Sequence, residues 1–132
     1  YGNGNYSGSY AYSSELIDLP FTITFYGQDY DQLIVNTNGW ISFGDFMMYS
    51  FRNYPIPGAG GPSPMVAAFW DDLKTGSGGY VYYHLTDEYV VIQWDDMRTY
   101  DGNTRETFEI ILYNKENIFF LILYFYVEYF LA

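Results

Sequence analysis

The sequence predicts an all-β fold, an antiparallel β-sandwich of about eight or nine strands carried behind a flexible N-terminal arm. Three observations predict it. Apolar residues recur with a period of two in short runs, as where Phe21, Ile23 and Phe25 alternate with Thr22 and Thr24, the pattern of a strand with one buried face. The runs are separated by Gly, Asp and Asn clusters, which supply turns. No stretch carries a helical period, so strand follows strand without the crossover helices of a parallel sheet.

Residues 1–18 read as the arm. Their first fourteen, YGNGNYSGSYAYSS, form a Gly/Ser/Asn tract punctuated by tyrosines that lacks the apolar density for a core of its own. Residues 19–132 read as a single sandwich domain, since 132 residues suffice for one substantial core and seldom two. The first strand covers 19–25, with Pro20 at its start, where a missing N–H is tolerated. Runs 33–36 and 40–43 flank Asn38-Gly39, a dipeptide that accepts the positive φ angles of a type I′ hairpin turn. Further runs at 65–69, 80–84, 89–94, 107–113 and 118–127 complete the set. Phe21, Ile23, Phe25, Ile34, Trp40, Ile41, Phe69, Trp70, Val91 and Trp94 are the expected core.

A long irregular segment, 45–64, interrupts the rhythm. Pro55, Pro57, Pro62 and Pro64 alternate there with Gly58, Gly60 and Gly61, and prolines exclude a central strand. The segment carries Phe46, Met47, Met48, Tyr49, Phe51 and Tyr54. Two readings stand: these side chains lid one end of the core, or they form a recognition loop, with Phe46, Met47, Tyr49, Phe51 and Tyr54 offered to a partner.

Charge narrows the partners. Five Lys and Arg face 16 Asp and Glu, a formal charge of −11, and such a surface repels nucleic-acid phosphates and anionic headgroups. Nucleic acid is thereby excluded as a partner. The absence of cysteine removes any disulfide framework or thiolate metal site without assigning a compartment. The chain opens on Tyr1 with no basic and apolar leader, which reads as a mature or excised piece of a longer product. Its Tyr, Gly, Asn, Ser and Thr richness suits an extracellular or cell-surface setting.

Catalysis has little to build on. It requires a nucleophile with a base, a carboxylate pair with split pKa values, or a metal. His84, the one histidine, sits in the run Tyr80-Val81-Tyr82-Tyr83-His84 and reads as an ordinary strand residue, with no G-x-S-x-G motif to serve. The chain is expected not to be an enzyme. The Gly clusters at 58–61 and 76–79 match no phosphate-binding fingerprint and precede no helix, so they read as turns. Asn5-Tyr6-Ser7 fits the N-glycosylation acceptor pattern.

Two segments echo each other, Phe69-Trp70-Asp71-Asp72-Leu73 and Gln93-Trp94-Asp95-Asp96-Met97. Placed at adjacent strand ends, Asp71, Asp72, Asp95 and Asp96 form a candidate Ca²⁺ site, because that cation favours flexible clusters of carboxylates and carbonyls. The competing reading is that these aspartates cap strand ends and turns. No other cofactor is expected.

The C-terminal run 118–132, IFFLILYFYVEYFLA, contains one charge, Glu128. It is shorter than the ~20 residues of a membrane-spanning helix, so no membrane span is expected. As one strand at ~3.3 Å per residue it extends about 50 Å, well past an ordinary strand. Its lack of polar alternation implies burial on both faces, either in this domain's own core or against another copy. The second reading makes Ile118, Phe120, Ile122, Tyr124, Tyr126, Tyr129 and Phe130 an assembly surface, with copies joined by β-strand addition.

Several segments together resemble a family: Leu19-Pro20-Phe21-Thr22; Val35-Asn36-Thr37-Asn38-Gly39-Trp40-Ile41-Ser42-Phe43-Gly44; Pro64-Met65-Val66-Ala67-Ala68-Phe69-Trp70-Asp71-Asp72-Leu73; Gly79-Tyr80-Val81-Tyr82-Tyr83; and Tyr89-Val90-Val91-Ile92-Gln93-Trp94. Over about residues 19–113 the chain looks like the nidogen-like extracellular β module. It is most similar to the β-sandwich domains of large secreted bacterial proteins that also carry gingipain-type peptidase domains. The resemblance implies a non-catalytic structural or adhesive module, with no peptidase residue carried over. The residue reading adds self-assembly into a filament or surface layer. The alternative is an accessory domain of a secreted hydrolase that binds surface glycans or proteins.

Overall fold

A computed structural model of the chain describes residues 4–6, 14–45, 64–75, 79–100, 104–115 and 119–124. Among them are ten strands and no helix: β1 (Gly4–Tyr6), β2 (Ser14–Phe25), β3 (Gln28–Asn36), β4 (Trp40–Phe43), β5 (Met65–Ala67), β6 (Leu73–Lys74), β7 (Tyr80–Leu85), β8 (Tyr89–Thr99), β9 (Arg105–Tyr113) and β10 (Phe119–Tyr124). All pairings are antiparallel. One sheet runs β2-β3-β4-β5; the other runs β1-β7-β8-β9-β10, with β6 added against β8. Every strand run read from the sequence overlaps one of these strands, and the sandwich expectation holds. Parts of the segment read as an arm lie in the sheets: Gly4–Tyr6 pairs with β7, and Ser14 to Asp18 pair with β3.

Pro20 does not start its strand. It lies inside β2, where pairing with β3 slips between Asp18 and Ile23. The slip is a bulge on an edge strand, the position at which a residue without an N–H disturbs no ladder. At the far end of β2, Tyr26 and Gly27 make a two-residue turn with φ of 48° and 78°. Phe25 and Gln28 close it as a pair, so the type I′ turn falls here.

The Asn38-Gly39 turn is therefore corrected. Only Gly39, at φ 85°, has positive φ there, Asn36 pairs with Trp40, and the Gly39 N–H donates to the Asn36 carbonyl at 3.2 Å. That is a three-residue loop, a type I turn followed by a left-handed glycine. The turn is buried, because the β5–β6 connection crosses it. The Gly39 carbonyl accepts the N–H groups of Ala68 and Phe69, both at 3.2 Å, and the Asn38 carbonyl accepts that of Asp71 at 3.2 Å.

The two sheets share one core. Ile17, Leu33, Val35, Ile41, Phe43 and Val66 from one sheet pack with Leu73, Val81, Val90, Ile92, Trp94, Met97, Phe108, Ile110 and Leu112 from the other. Trp94 ties them directly, its indole N–H donating to the Asn36 carbonyl at 2.9 Å. Of the expected core, Phe21, Ile23, Phe25 and Phe69 are partly buried against this cluster. Ile34 and Val91 are buried. Trp40 and Trp70 form a second cluster with Met65, their ring centroids 6.4 Å apart.

Candidate interaction surfaces

The two Trp-Asp-Asp segments, alike in sequence, occupy different structures. Trp70-Asp71-Asp72 lies in the connection between β5 and β6, whereas Asp95 and Asp96 lie within β8 and not at a strand end. In β8 they form a bulge: Trp94 pairs with Phe108 and Met97 with Glu106, leaving two residues opposite Thr107. The Thr107 hydroxyl fills the gap, accepting the Asp96 N–H at 3.0 Å and donating to the Asp95 carboxylate at 3.3 Å. Asp96 takes φ 53°, a left-handed conformation that Asp tolerates better than most residues. Its carboxylate forms an ion pair with Arg105.

Asp71 and Asp72 serve a separate turn. The Asp71 carboxylate accepts the Asp72 N–H at 2.7 Å, and the Asp72 carbonyl accepts the Tyr100 N–H at 2.7 Å. Since Leu73 pairs with Thr99, Asp72 lies beside Tyr100, just past the end of β8 and four residues along the chain from Asp96, about 13 Å at ~3.3 Å per residue. Among the described residues, no three His, Cys, Asp or Glu side chains gather where they could hold a metal ion.

Asn36 and Asn38 are the polar residues most tightly built into the fold, and the sequence marked Asn38 only as a turn former and Asn36 only as the end of a strand run. Both are buried. The Asn36 side chain accepts the Asn38 N–H at 2.8 Å and donates to Ser14 Oγ at 2.7 Å. The Asn38 side chain accepts the Leu73 N–H at 3.1 Å. These bonds satisfy backbone groups that burial would otherwise leave unpaired, and they set where β6 enters the six-stranded sheet.

The remaining expected residues divide. His84 is an ordinary residue of β7, its ring 6.3 Å from that of Tyr89. Phe46, Met47, Met48, Tyr49, Phe51 and Tyr54 lie outside the described residues, as do 58–61, 76–78, Ile118, Tyr126, Tyr129 and Phe130. Phe120, Ile122 and Tyr124 stand in β10, opposite Ile111, Glu109 and Thr107 of this chain's own β9. No described helix is long and apolar enough to cross a membrane.

One contact between the sheets is sensitive to pH. The Tyr83 hydroxyl donates to the Glu15 carboxylate at 3.4 Å. Burial pushes the Tyr83 phenol above its ordinary value of 10.0, and the Glu15 charge and hydrogen bond push the same way. A folded-state value above the unfolded one means that the stabilisation is complete below about pH 10 and is lost as pH rises through the folded value. Thermal melts from pH 9 upward are expected to show a steeper fall in Tm for the native chain than for Tyr83→Phe. Parallel curves would remove this contact from the alkaline behaviour.

Two antiparallel sheets around one shared core define a β-sandwich module. The chain belongs to the NIDO-related family, whose model matches residues 5–128. It is 33% identical to alpha-tectorin of Homo sapiens over 90 residues, which is 67% of this chain and 4% of that protein. It is 31% identical to alpha-tectorin of Mus musculus over the same shares. The match thus spans about 4% of the length of these curated relatives. No solved structure matches the chain significantly. The nidogen-like resemblance holds at family level, and the module is extracellular.

Proposed function

We propose that the chain is a non-catalytic structural module of the extracellular space that associates with copies of itself in line, by strand addition at the edges of its six-stranded sheet. The observation that carries this reading is the position of β1 and β10. Gly4–Tyr6 is one edge of that sheet and Phe119–Tyr124 the other. β1 covers only Val81 to Tyr83 of β7, and the apolar β10 pairs on one side alone among the described strands. Edges of this kind accept further strands unless they are blocked, and two different edges meeting head to tail give an open chain of subunits. Membership of the NIDO-related family and the likeness to alpha-tectorin support the extracellular structural part of this reading.

Sedimentation velocity and negative-stain imaging test it. Concentration-dependent linear assemblies are expected, and deletion of residues 119–132, which removes β10, or of residues 1–13, which removes β1, should leave a soluble folded monomer. A monomer at every concentration, or assemblies that survive both deletions, would refute strand addition. The second reading, an accessory carbohydrate- or protein-binding domain of a secreted hydrolase, draws support from Tyr26, which is 93% exposed. A glycan array that returns a ligand for a strictly monomeric chain would favour it.

A further inference from the structure

Three of the chain's five cationic side chains stand in one row. Lys74 of β6 is directly opposite Arg98 of β8, and Arg98 is directly opposite Arg105 of β9. Like charges at opposed positions of a sheet repel, yet this chain, with 16 carboxylates, keeps one sign across three strands. Leu73 and Met97 are buried in the core, so Lys74 and Arg98, next along their strands, point to the outer face. Lys74 and Arg98 are half-buried, and Arg98 and Arg105 have further contacts within the chain. Arg105 pairs with Asp96 and remains 46% exposed. The Lys74 ammonium lies 4.5 Å from the centre of the Tyr100 ring, and Tyr100 is 56% exposed.

The opposite sheet carries the complementary surface. Residues 14–45 contain Glu15, Asp18, Asp29, Asp31 and Asp45 and no Lys, Arg or His. Asp18, Asp29 and Asp31 are exposed on the β2–β3 hairpin. At its tip stands Tyr26, exposed and at φ 48°, a conformation unusual for a bulky side chain.

We infer that the cation row Lys74–Arg98–Arg105 of one copy receives the acidic β2–β3 hairpin of the next, with Tyr26 reaching an Arg side chain of the row. This inference rests on the self-association proposed above and adds a second contact to it. The two surfaces lie on different sheets, so the contact is head to tail and leaves both end surfaces open. A guanidinium meets both needs of the hairpin, since it pairs with carboxylates and stacks on an aromatic ring.

Charge exchange tests it, because salt would screen both the local attraction and the repulsion between two acidic chains. The row variant is K74E/R98E, which leaves the Arg105–Asp96 pair intact; the hairpin variant is D29K/D31K. Each alone is expected to associate at least tenfold more weakly than the native chain by sedimentation. This holds for the hairpin variant although its lower net charge would by itself favour association. An equimolar mixture should regain assemblies, since each variant then presents what the other lacks. If either variant fails to fold, Y26N decides: Asn suits the positive φ, so the fold should persist while association falls severalfold.

A native chain that is monomeric throughout refutes the proposed self-association and this contact together. If the native chain assembles and the variants match it, or if the mixture stays monomeric, only the cation-row contact is overturned.

Discussion

Gly39→Ala is expected to destabilise the sandwich by about 4 kcal/mol, a large part of the ~5–15 kcal/mol that holds a domain of this size folded. A β-carbon at Gly39 would sit 1.8 Å from the Phe69 carbonyl oxygen, 2.8 Å from the Phe69 carbonyl carbon and 3.1 Å from Phe108 Cζ. Neither backbone can withdraw freely, because the Gly39 carbonyl holds the N–H groups of Ala68 and Phe69. Losing those two bonds costs about 1 kcal/mol each. The left-handed conformation costs an L-residue a further ~1–2 kcal/mol. Gly27→Ala provides the control. It has φ 78° and nothing within 4 Å of the added carbon, so about 1 kcal/mol is expected. Urea unfolding of both variants separates the crossing of backbones from conformational strain, and equal losses would show that the crossing contributes nothing.

Much of the fold was legible because it is local. Alternation at Phe21, Ile23 and Phe25 and the apolar runs around Trp40 and Val91 depend on the pleat alone, and each lies in a strand. What could not be read was set by distant segments. Asn38-Gly39 reads as a type I′ turn, but the β5–β6 connection lies across it, and burial favours a loop that presents its carbonyls to that connection. Pro20 follows a Leu before an alternating run, which reads as a strand start; the bulge that admits it inside β2 exists only in the pairing with β3. Tyr26-Gly27 carried a turn signal in its glycine, but an aromatic residue at the first turn position obscured it.

The candidate sites divide on the same line. Two Trp-Asp-Asp segments look equivalent as strings, yet one is a connection and the other a bulge. The difference is a matter of register, which one extra residue changes. The cation row was invisible for the same reason. Lys74, Arg98 and Arg105 have no spacing in common, and only the β6–β8–β9 pairing aligns them.

Trp94→Ala is expected to cost about 3–5 kcal/mol, the usual range for removing a fully buried large aromatic. The Trp94 ring stacks on Phe108 at 5.0 Å with an interplanar angle of 17°, and its N–H bonds the Asn36 carbonyl at 2.9 Å. Trp94→Phe separates these contributions. It keeps an aromatic ring against Phe108 and loses the bond and some volume, for about 2 kcal/mol. The Asn36 carbonyl would still accept the Gly39 N–H, so the smaller variant leaves no acceptor stranded. If Trp94→Phe proved as damaging as Trp94→Ala, the bond to Asn36 would outweigh the packing. The shape of the transition is equally informative. Trp94 belongs to the six-stranded sheet and Asn36 to the four-stranded one, so if this side chain couples them, Trp94→Ala should lower one cooperative transition. Separation into two transitions would mean that each sheet retains structure alone, and that the shared core around Ile41, Ile92 and Phe108 contributes less to their union than its burial implies.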